Sequence, residues 1–361
     1  MVIQVELADR TVGYGETLPR PYVSGETVDT VIESIRNLLL DELLAFRPAH
    51  FPEALERIEA LPAQDESGRV ITAARAGVEL ALLDAYSRHF QKPLSEALGW
   101  LGLPAFGSPG SMNQVRYSGV LSGGDRRRLK RRVRMMRCYG LRDFKLKVGY
   151  DDDPDRVRAV ADALGRSLSR TTTLRLDANG AWTLDQAVDR LSALARLPIR
   201  CIEQPLGKAN DGDLFALKRA VDIEVMHDES LVTFADAERL VRLGLADAFN
   251  IRISKNGGFL AAVRLAHFAR KNKVAYQLGC MVGETSILSA AGRKFLENVP
   301  GVAFAEGSYG RFLLAGDVVD RPVQFGCGGK VKPLPGPGWG INVSPRLLQH
   351  HARAGPIELP L

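Results

Sequence analysis

A chain of 361 residues, 45% hydrophobic and 25% charged, has globular composition and enough apolar surface for two domains or one large capped barrel. Its start, Met1-Val-Ile-Gln-Val-Glu6, lacks the basic and apolar regions of a secretory leader, and no apolar run approaches the roughly 18 residues of a bilayer span, so neither export nor a membrane partner is expected. The net charge of +6 raises the question of a polyanionic partner, while four scattered cysteines, Cys138, Cys201, Cys280 and Cys327, read as reduced thiols of a cytoplasmic protein.

Residues 1–108 read as a small α+β capping unit. Val2–Leu7 alternates apolar and polar side chains as a half-buried strand does, and Thr11–Glu16 follows after a short turn. Thr27–Leu44 has helical periodicity with Asp29 and Thr30 near its start. Ala73–Phe90 is a richly apolar helix with Ala74, Val78, Ala81 and Ala85 on one face. Leu101–Ser111, rich in Gly and Pro, is a linker.

Within residues 109–315 short apolar runs alternate with helical segments. The runs are Val115–Val120, Phe144–Val148, Thr173–Leu176, Ile199–Ile202, Glu224–Met226, Ala248–Ile253, Val274–Leu278 and Val302–Ala305. That alternation predicts an α/β fold, a closed parallel (β/α) barrel of the TIM type. Most of the basic charge gathers in Arg126–Arg137, where Leu129, Val133 and Met136 recur at helical spacing. This is an amphipathic helix with a solvated basic face. No zinc-finger, RNP or helix-turn-helix pattern accompanies it, so nucleic acid is not an expected partner. Residues 316–361, rich in Gly and Pro, are expected to return to the cap. Gly326-Cys-Gly-Gly329 is no dinucleotide fingerprint, because no helix pattern opens behind it.

Ionisable residues stand at the carboxyl ends of these runs, where barrel active sites lie. Lys145 and Lys147 flank Leu146 on the second; Asp177, Glu203 and Asp228 end the third, fourth and fifth; Lys255 follows the sixth and Glu306 ends the eighth. The steps from Lys147 to Glu306 are 30, 26, 25, 27 and 51 residues, one βα unit each and two in the last. Three converging carboxylates repel one another unless they share a cation, and a hard oxygen set suits Mg²⁺, with Mn²⁺ as the alternative. Such an ion can chelate a substrate carboxylate and hold the enediolate left when the adjacent C–H loses its proton. Lys145 and Lys147 point the same way along their strand, and a neighbouring ammonium and metal would both lower the pKa of Lys147, as a lysine base requires. Lys255 would approach from the opposite face. Taken singly, each residue has a plainer role: Lys-x-Lys as a surface pair, Asp as a helix cap, Glu203-Gln-Pro as a capped turn, Glu284 as a complement to a helix dipole. Their common register argues against those roles.

The sequence resembles the enolase superfamily, and within it the muconate-lactonizing (muconate cycloisomerase-like) subgroup, over nearly the whole chain. The resemblance rests on Gly13-Tyr-Gly-Glu16, Glu79–Asp84, Lys145-Leu-Lys147, Leu176-Asp-Ala-Asn179, Ile202-Glu-Gln-Pro205, Asp228-Glu-Ser230 and Asn250-Ile-Arg-Ile-Ser-Lys-Asn-Gly-Gly258. It implies Asp177, Glu203 and Asp228 as metal ligands and Lys147 and Lys255 as the acid/base pair, with Lys145 tuning Lys147. Asn179, Asn250, Glu284, Arg20 and Tyr22 are candidates for contact with a small carboxylate substrate. Mandelate-racemase-like members carry a His on the seventh strand; Val274–Leu278 has none, and His267 lies in the preceding helix. Dipeptide epimerases resemble Asp-x-Asp after the eighth strand, whereas Glu306-Gly-Ser308 is closer to the cycloisomerases. The expected reaction is therefore a cycloisomerase- or racemase-type isomerisation. An o-succinylbenzoate synthase-like dehydratase and a dipeptide or N-acyl amino acid epimerase are the alternatives, and a polyanion-binding barrel scaffold is the non-enzymatic one. Relatives open with one more strand and a mobile lid loop; Met1 is expected to enter at the second strand of the cap. A homo-oligomer is expected, as in similar proteins.

Overall fold

A computed structural model of the protein describes residues 1–39, 46–103, 115–208 and 210–359. Strands β1 (Val2–Glu6) and β2 (Val12–Glu16) form an antiparallel hairpin, Val2 opposite Glu16 and Glu6 opposite Val12. Its β2 strand lies flat on the helix Thr72–His89. A Cβ on Gly13 would run into the backbone of Ala81 and Ala85, and one on Gly15 into that of Gly77 and Ala81. The two glycines are what that close approach requires.

The sequence suggested a single alanine face for this helix, but every side chain from Thr72 to Ser87 is buried. The hairpin covers one side, while the helices Phe51–Glu59 and Phe259–Lys271 pack on the others. Phe51–Glu59, which the sequence reading did not single out, starts with His50 as its N-cap and buries Phe51, Ala54, Leu55 and Ile58. Thr27 caps the helix Val28–Ser34 through a reciprocal bond with Thr30, and the chain continues as a π-turn over Ile35–Leu39. The rest of the helix expected to reach Leu44, and most of the Gly/Pro-rich linker, lie outside the described residues.

Seven parallel strands follow in sequential order: β3 (Gly119–Leu121), β4 (Asp143–Lys147), β5 (Thr173–Asp177), β6 (Cys201–Glu203), β7 (Glu224–His227), β8 (Ala248–Ile251) and β9 (Ala275–Leu278). Ala305 closes the ring, bridging in parallel to Leu278 on one side and Tyr117 on the other. The Glu306 N–H donates to Leu278 O at 2.8 Å and the Ser118 N–H to Ala305 O at 2.8 Å. The expected eighth strand is thus reduced to bridge pairs, yet it seals the barrel. Helices with side-chain caps from Asp125, Thr183, Asn210, Thr233 and Thr285 lie between strands.

The basic helix Arg126–Cys138 buries Leu129 and Val133 and turns its charge to solvent. Part of that charge is met by the next helix, Arg126 lying 3.2 Å from Asp155 and Lys130 3.2 Å from Asp162. In the tail, the fully buried Trp339 donates its indole N–H to Tyr14 O at 3.0 Å and its backbone N–H to Asp84 at 2.9 Å. Among the described residues, no helix is long and apolar enough to cross a membrane.

Candidate active site

Side chains alternate across a strand, so Lys145 and Lys147 share one face of β4, and Arg175 and Asp177 share one face of β5. Parallel register sets Lys145 beside Arg175, Lys147 beside Asp177, and Asp177 beside Glu203. Contacts across the ring identify this face as the inner one. Lys145 Nζ lies 2.7 Å from Glu306, 3.2 Å from Asp177 and 3.3 Å from Glu203. Arg175 lies 2.8 Å from the other Glu306 oxygen and stacks over the Phe304 ring at 3.9 Å. Lys147, one residue pair nearer the mouth, is half-buried.

The opposite arc is built around Asp228, the residue after β7. Lys255 donates to its carboxylate at 3.0 Å, to its carbonyl at 2.8 Å and to Asn250 O at 2.8 Å. Arg252 pairs with the other Asp228 carboxylate oxygen and stands 3.9 Å from Glu203. Asn250 Nδ2 donates to Glu203 at 2.7 Å, and Gln277 adds a contact at 3.3 Å. The Asn179 backbone N–H donates to Asp177 at 3.1 Å, while its side chain donates to Glu229 at 3.3 Å.

Burial and charge set the protonation of these groups in opposite directions. Burial, then the nearby Asp177, push Glu203 up to about 8 despite Lys145. Burial would raise Asp228 and Glu306 as well. For Asp228 the charges of Arg252 and Lys255 prevail, and for Glu306 those of Lys145 and Arg175, so both sit below the usual carboxylate range. Burial alone would lower Lys145, but Glu203, Glu306 and Asp177 together hold it well above an ordinary lysine. For Lys255 burial wins over Asp228, and its ammonium is easier to deprotonate than usual. Burial, with Asp228 adding to it and Arg252 opposing, raises Glu229.

Three carboxylates on consecutive strands give an all-oxygen donor set of the kind hard divalent cations take, with Asp177 Oδ2 met by Lys145 Nζ at 3.2 Å. The donors fit such an ion in chemistry. They do not form a ready cage: among the described residues no three His, Cys, Asp or Glu side chains stand grouped so as to hold a metal. Lys145 engages Asp177 and Glu203 instead, and Arg252 engages Asp228.

Of the other candidates, Glu284 lies apart on the loop after β9. Burial and the nearby Glu16 push it up to about 8, against hydrogen bonds from Met281, Ser308 and Ser289. It lines a small pocket with Tyr117, Ser254, Cys280, Met281 and Glu306, a wall that carries acids and no Lys or Arg. Arg20 donates to Val282 O at 3.1 Å, whereas Tyr22 is 67% exposed. Arg175, Arg252, Gln277 and Glu229 were missed in the sequence. Two of them carried a signal, Arg175 and Arg252 standing two residues from Asp177 and Asn250, on the inward parity of their runs.

Comparison with known proteins fits this arrangement. Residues 128–347, more than half the chain, match the family "Enolase C-terminal domain-like". A hydrophobic dipeptide epimerase of Enterococcus faecalis is 30% identical over 79% of this chain and 75% of its own. A chloromuconate cycloisomerase of Cupriavidus pinatubonensis is 29% identical over 87% and 80%. Among solved structures, the muconate lactonizing enzyme of Pseudomonas putida superposes with a TM-score of 0.82 at 27% identity, covering 98% of this chain and 94% of that one. The N-succinyl Arg/Lys racemase of Bacillus cereus, at 23% identity and a TM-score of 0.84, shares the fold. A parallel barrel with carboxylates and lysines at the carboxyl ends of its strands has its active site at that mouth. The chain belongs to the enolase superfamily, in its muconate cycloisomerase-like subgroup, and is an isomerase of that superfamily, whose members use a divalent metal.

Proposed function

We propose that the protein is a Mg²⁺-dependent isomerase that removes a proton from the carbon next to a small substrate's carboxylate and returns one there. The observation that carries this reading is the placement of the two lysines. Lys147 pairs in register with Asp177, Lys255 bonds Asp228, and Glu203 stands between those acids. Asp177, Glu203 and Asp228 are the residues to hold the cation, with Mn²⁺ as a substitute for Mg²⁺. When bound, the metal supplies a positive centre for the charge that develops on the substrate carboxylate during deprotonation.

The rest of the reaction falls to this chain's own side chains. Lys147 Nζ and Lys255 Nζ take up and deliver the proton, one on each face of the substrate. Lys145 and Arg175 keep Glu306 ionised and fixed at the end of the barrel's closing segment. Asn179 and Asn250 orient Asp177 and Glu203, and Glu284 is a candidate contact for the part of the substrate distant from the reacting carbon. Arg20 and Tyr22 on the cap loop are candidates for contact with a substrate anion. The division into cap (1–108), barrel (109–315) and returning tail (316–361) accompanies this reading, as does cytoplasmic operation with all four thiols free.

Within this class epimerisation of a dipeptide or N-acyl amino acid is taken ahead of cycloisomerisation of a dicarboxylate, because a hydrophobic dipeptide epimerase is 30% identical over 79% of this chain. The test is incubation with Mg²⁺ in D₂O and a panel of dipeptides, N-acyl amino acids and unsaturated dicarboxylates. Deuterium at the α-carbon of at least one dipeptide or N-acyl amino acid is expected. Lactone formation from the dicarboxylates without any such exchange would favour cycloisomerisation, and no exchange or isomerisation anywhere in the panel would contradict the function.

A further inference from the structure

The two lysines assigned to proton transfer are held in different ways. Lys255 Nζ is fixed by three hydrogen bonds, to the Asp228 carboxylate, the Asp228 carbonyl and Asn250 O. Lys147 closes β4, and among the described residues no hydrogen bond or ion pair holds its Nζ. On a flexible four-carbon stem, its aim depends on the backbone from which it springs. One carboxylate ties that backbone down. Val148, the residue after Lys147, donates its N–H to Asp177 O at 2.8 Å. The next two, Gly149 and Tyr150, donate theirs to Asp153 Oδ2 at 2.8 and 3.1 Å. The same oxygen accepts from the Trp182 indole at 3.1 Å and from Arg190 Nη1 at 2.9 Å.

Asp153 is fully buried and opens the helix Asp153–Leu164, yet none of its four donors belongs to that helix. It is therefore no ordinary helix cap, which would accept from its own first turn. Its bonds run from the turn after β4 to the loop after β5, where Trp182 stands five residues beyond Asp177 and bonds Pro205 O at 3.3 Å. The turn is tight against that loop: Gly149 has φ 105°, and a Cβ there would collide with Ala181. Bonds to an ionised carboxylate are among the stronger ones, so this clamp is stiff. We propose that Asp153 is a positioning residue for Lys147, holding the turn after β4 against the loop after β5 and so fixing where Nζ meets the substrate's α-proton. Asp153 touches no reacting atom itself. Its influence is one-sided, because Lys255 takes its position from Asp228 and Asn250. This inference rests on Lys147 being one of the two proton-transfer groups of the proposed function.

The test is deuterium exchange from D₂O, with Mg²⁺ present, measured separately on the two epimers of dipeptides and N-acyl amino acids. Wild type, Lys147→Ala, Asp153→Ala and Asp153→Asn are compared, with circular dichroism confirming folding. The epimer that Lys147→Ala no longer exchanges reports on Lys147. Asp153→Ala should lower kcat on that epimer roughly a hundredfold, the order expected when a reacting group shifts by about 1 Å. KM, and exchange of the other epimer, should stay within about twofold of wild type. An equal fall on both epimers, as general loosening of the fold gives, or no fall on either, would overturn the proposal. Should Asp153→Ala not fold, Asp153→Asn decides, since it keeps the volume and removes the charge. A severalfold loss confined to the Lys147 epimer supports the clamp, and an equal loss or none overturns it. Wild type exchanging no epimer of any compound, or Lys147→Ala losing neither, would overturn the proposed function and this inference together. A one-sided loss in Lys147→Ala without one in the Asp153 variants would overturn this inference alone.

Discussion

Glu79 lies at the middle of the cap's central helix with its carboxylate facing Arg75 at 2.7 Å and the Leu260 N–H at 2.8 Å. Burial outweighs the Arg75 charge and lifts its pKa from 4.5 to about 7. A carboxyl that is harder to ionise in the folded protein favours folding fully below pH 4.5, where both states hold the proton. That advantage is lost as pH rises, because between 4.5 and about 7 the unfolded chain gives up the proton first. Glu79→Gln cannot ionise, so its stability relative to wild type should rise across this window by up to about 3 kcal/mol and level off above pH 7. Urea denaturation of both proteins at several pH values checks this. A constant difference from pH 4.5 to 8 would place Glu79 in an ordinary ionised pair.

The turn after β8 shows why the element scale has its own logic. Gly258 adopts φ 118°, and a Cβ there would meet the Glu79 carboxylate that receives the first N–H groups of the helix Phe259–Lys271. Gly258→Ala should therefore cost about 2–4 kcal/mol through backbone strain and displacement of Glu79, measurable as an earlier denaturation midpoint with an unchanged slope. An unaffected midpoint would mean that the turn yields freely. At this scale much was legible in the chain. An acid or lysine closing six of the eight apolar runs marks a strand end, because the mouth of a barrel is where an inward charge finds partners. Lys145, Asp177, Glu203, Asp228, Lys255 and Glu306 were all found this way, and the structure brings them together. Arg175 and Arg252 were passed over although they share the inward parity of Asp177 and Asn250, since neither closes its run and their partners come from strands far along the sequence. The shortness of the eighth segment escaped for a related reason: bridge pairs at Ala305 suffice to close the ring, whatever length the apolar run suggests.

On the scale of the whole molecule, one charge distribution governs both stability and chemistry. The ring of acids at the mouth is balanced by Lys145, Arg252 and Lys255, so a bound divalent ion stabilises the folded chain by mass action. At a hundredfold excess over its dissociation constant that amounts to about 2.7 kcal/mol. Mg²⁺ should raise the melting temperature of wild type and leave Asp228→Asn nearly unmoved; an equal rise in both would misplace the metal. The most direct test of the account is Mg²⁺-dependent deuterium uptake from D₂O at the substrate α-carbon, compared between wild type and Lys147→Ala on a substrate that wild type turns over. Uptake from the face that Lys147 serves should disappear while the variant still binds Mg²⁺. Undiminished uptake in Lys147→Ala would contradict it.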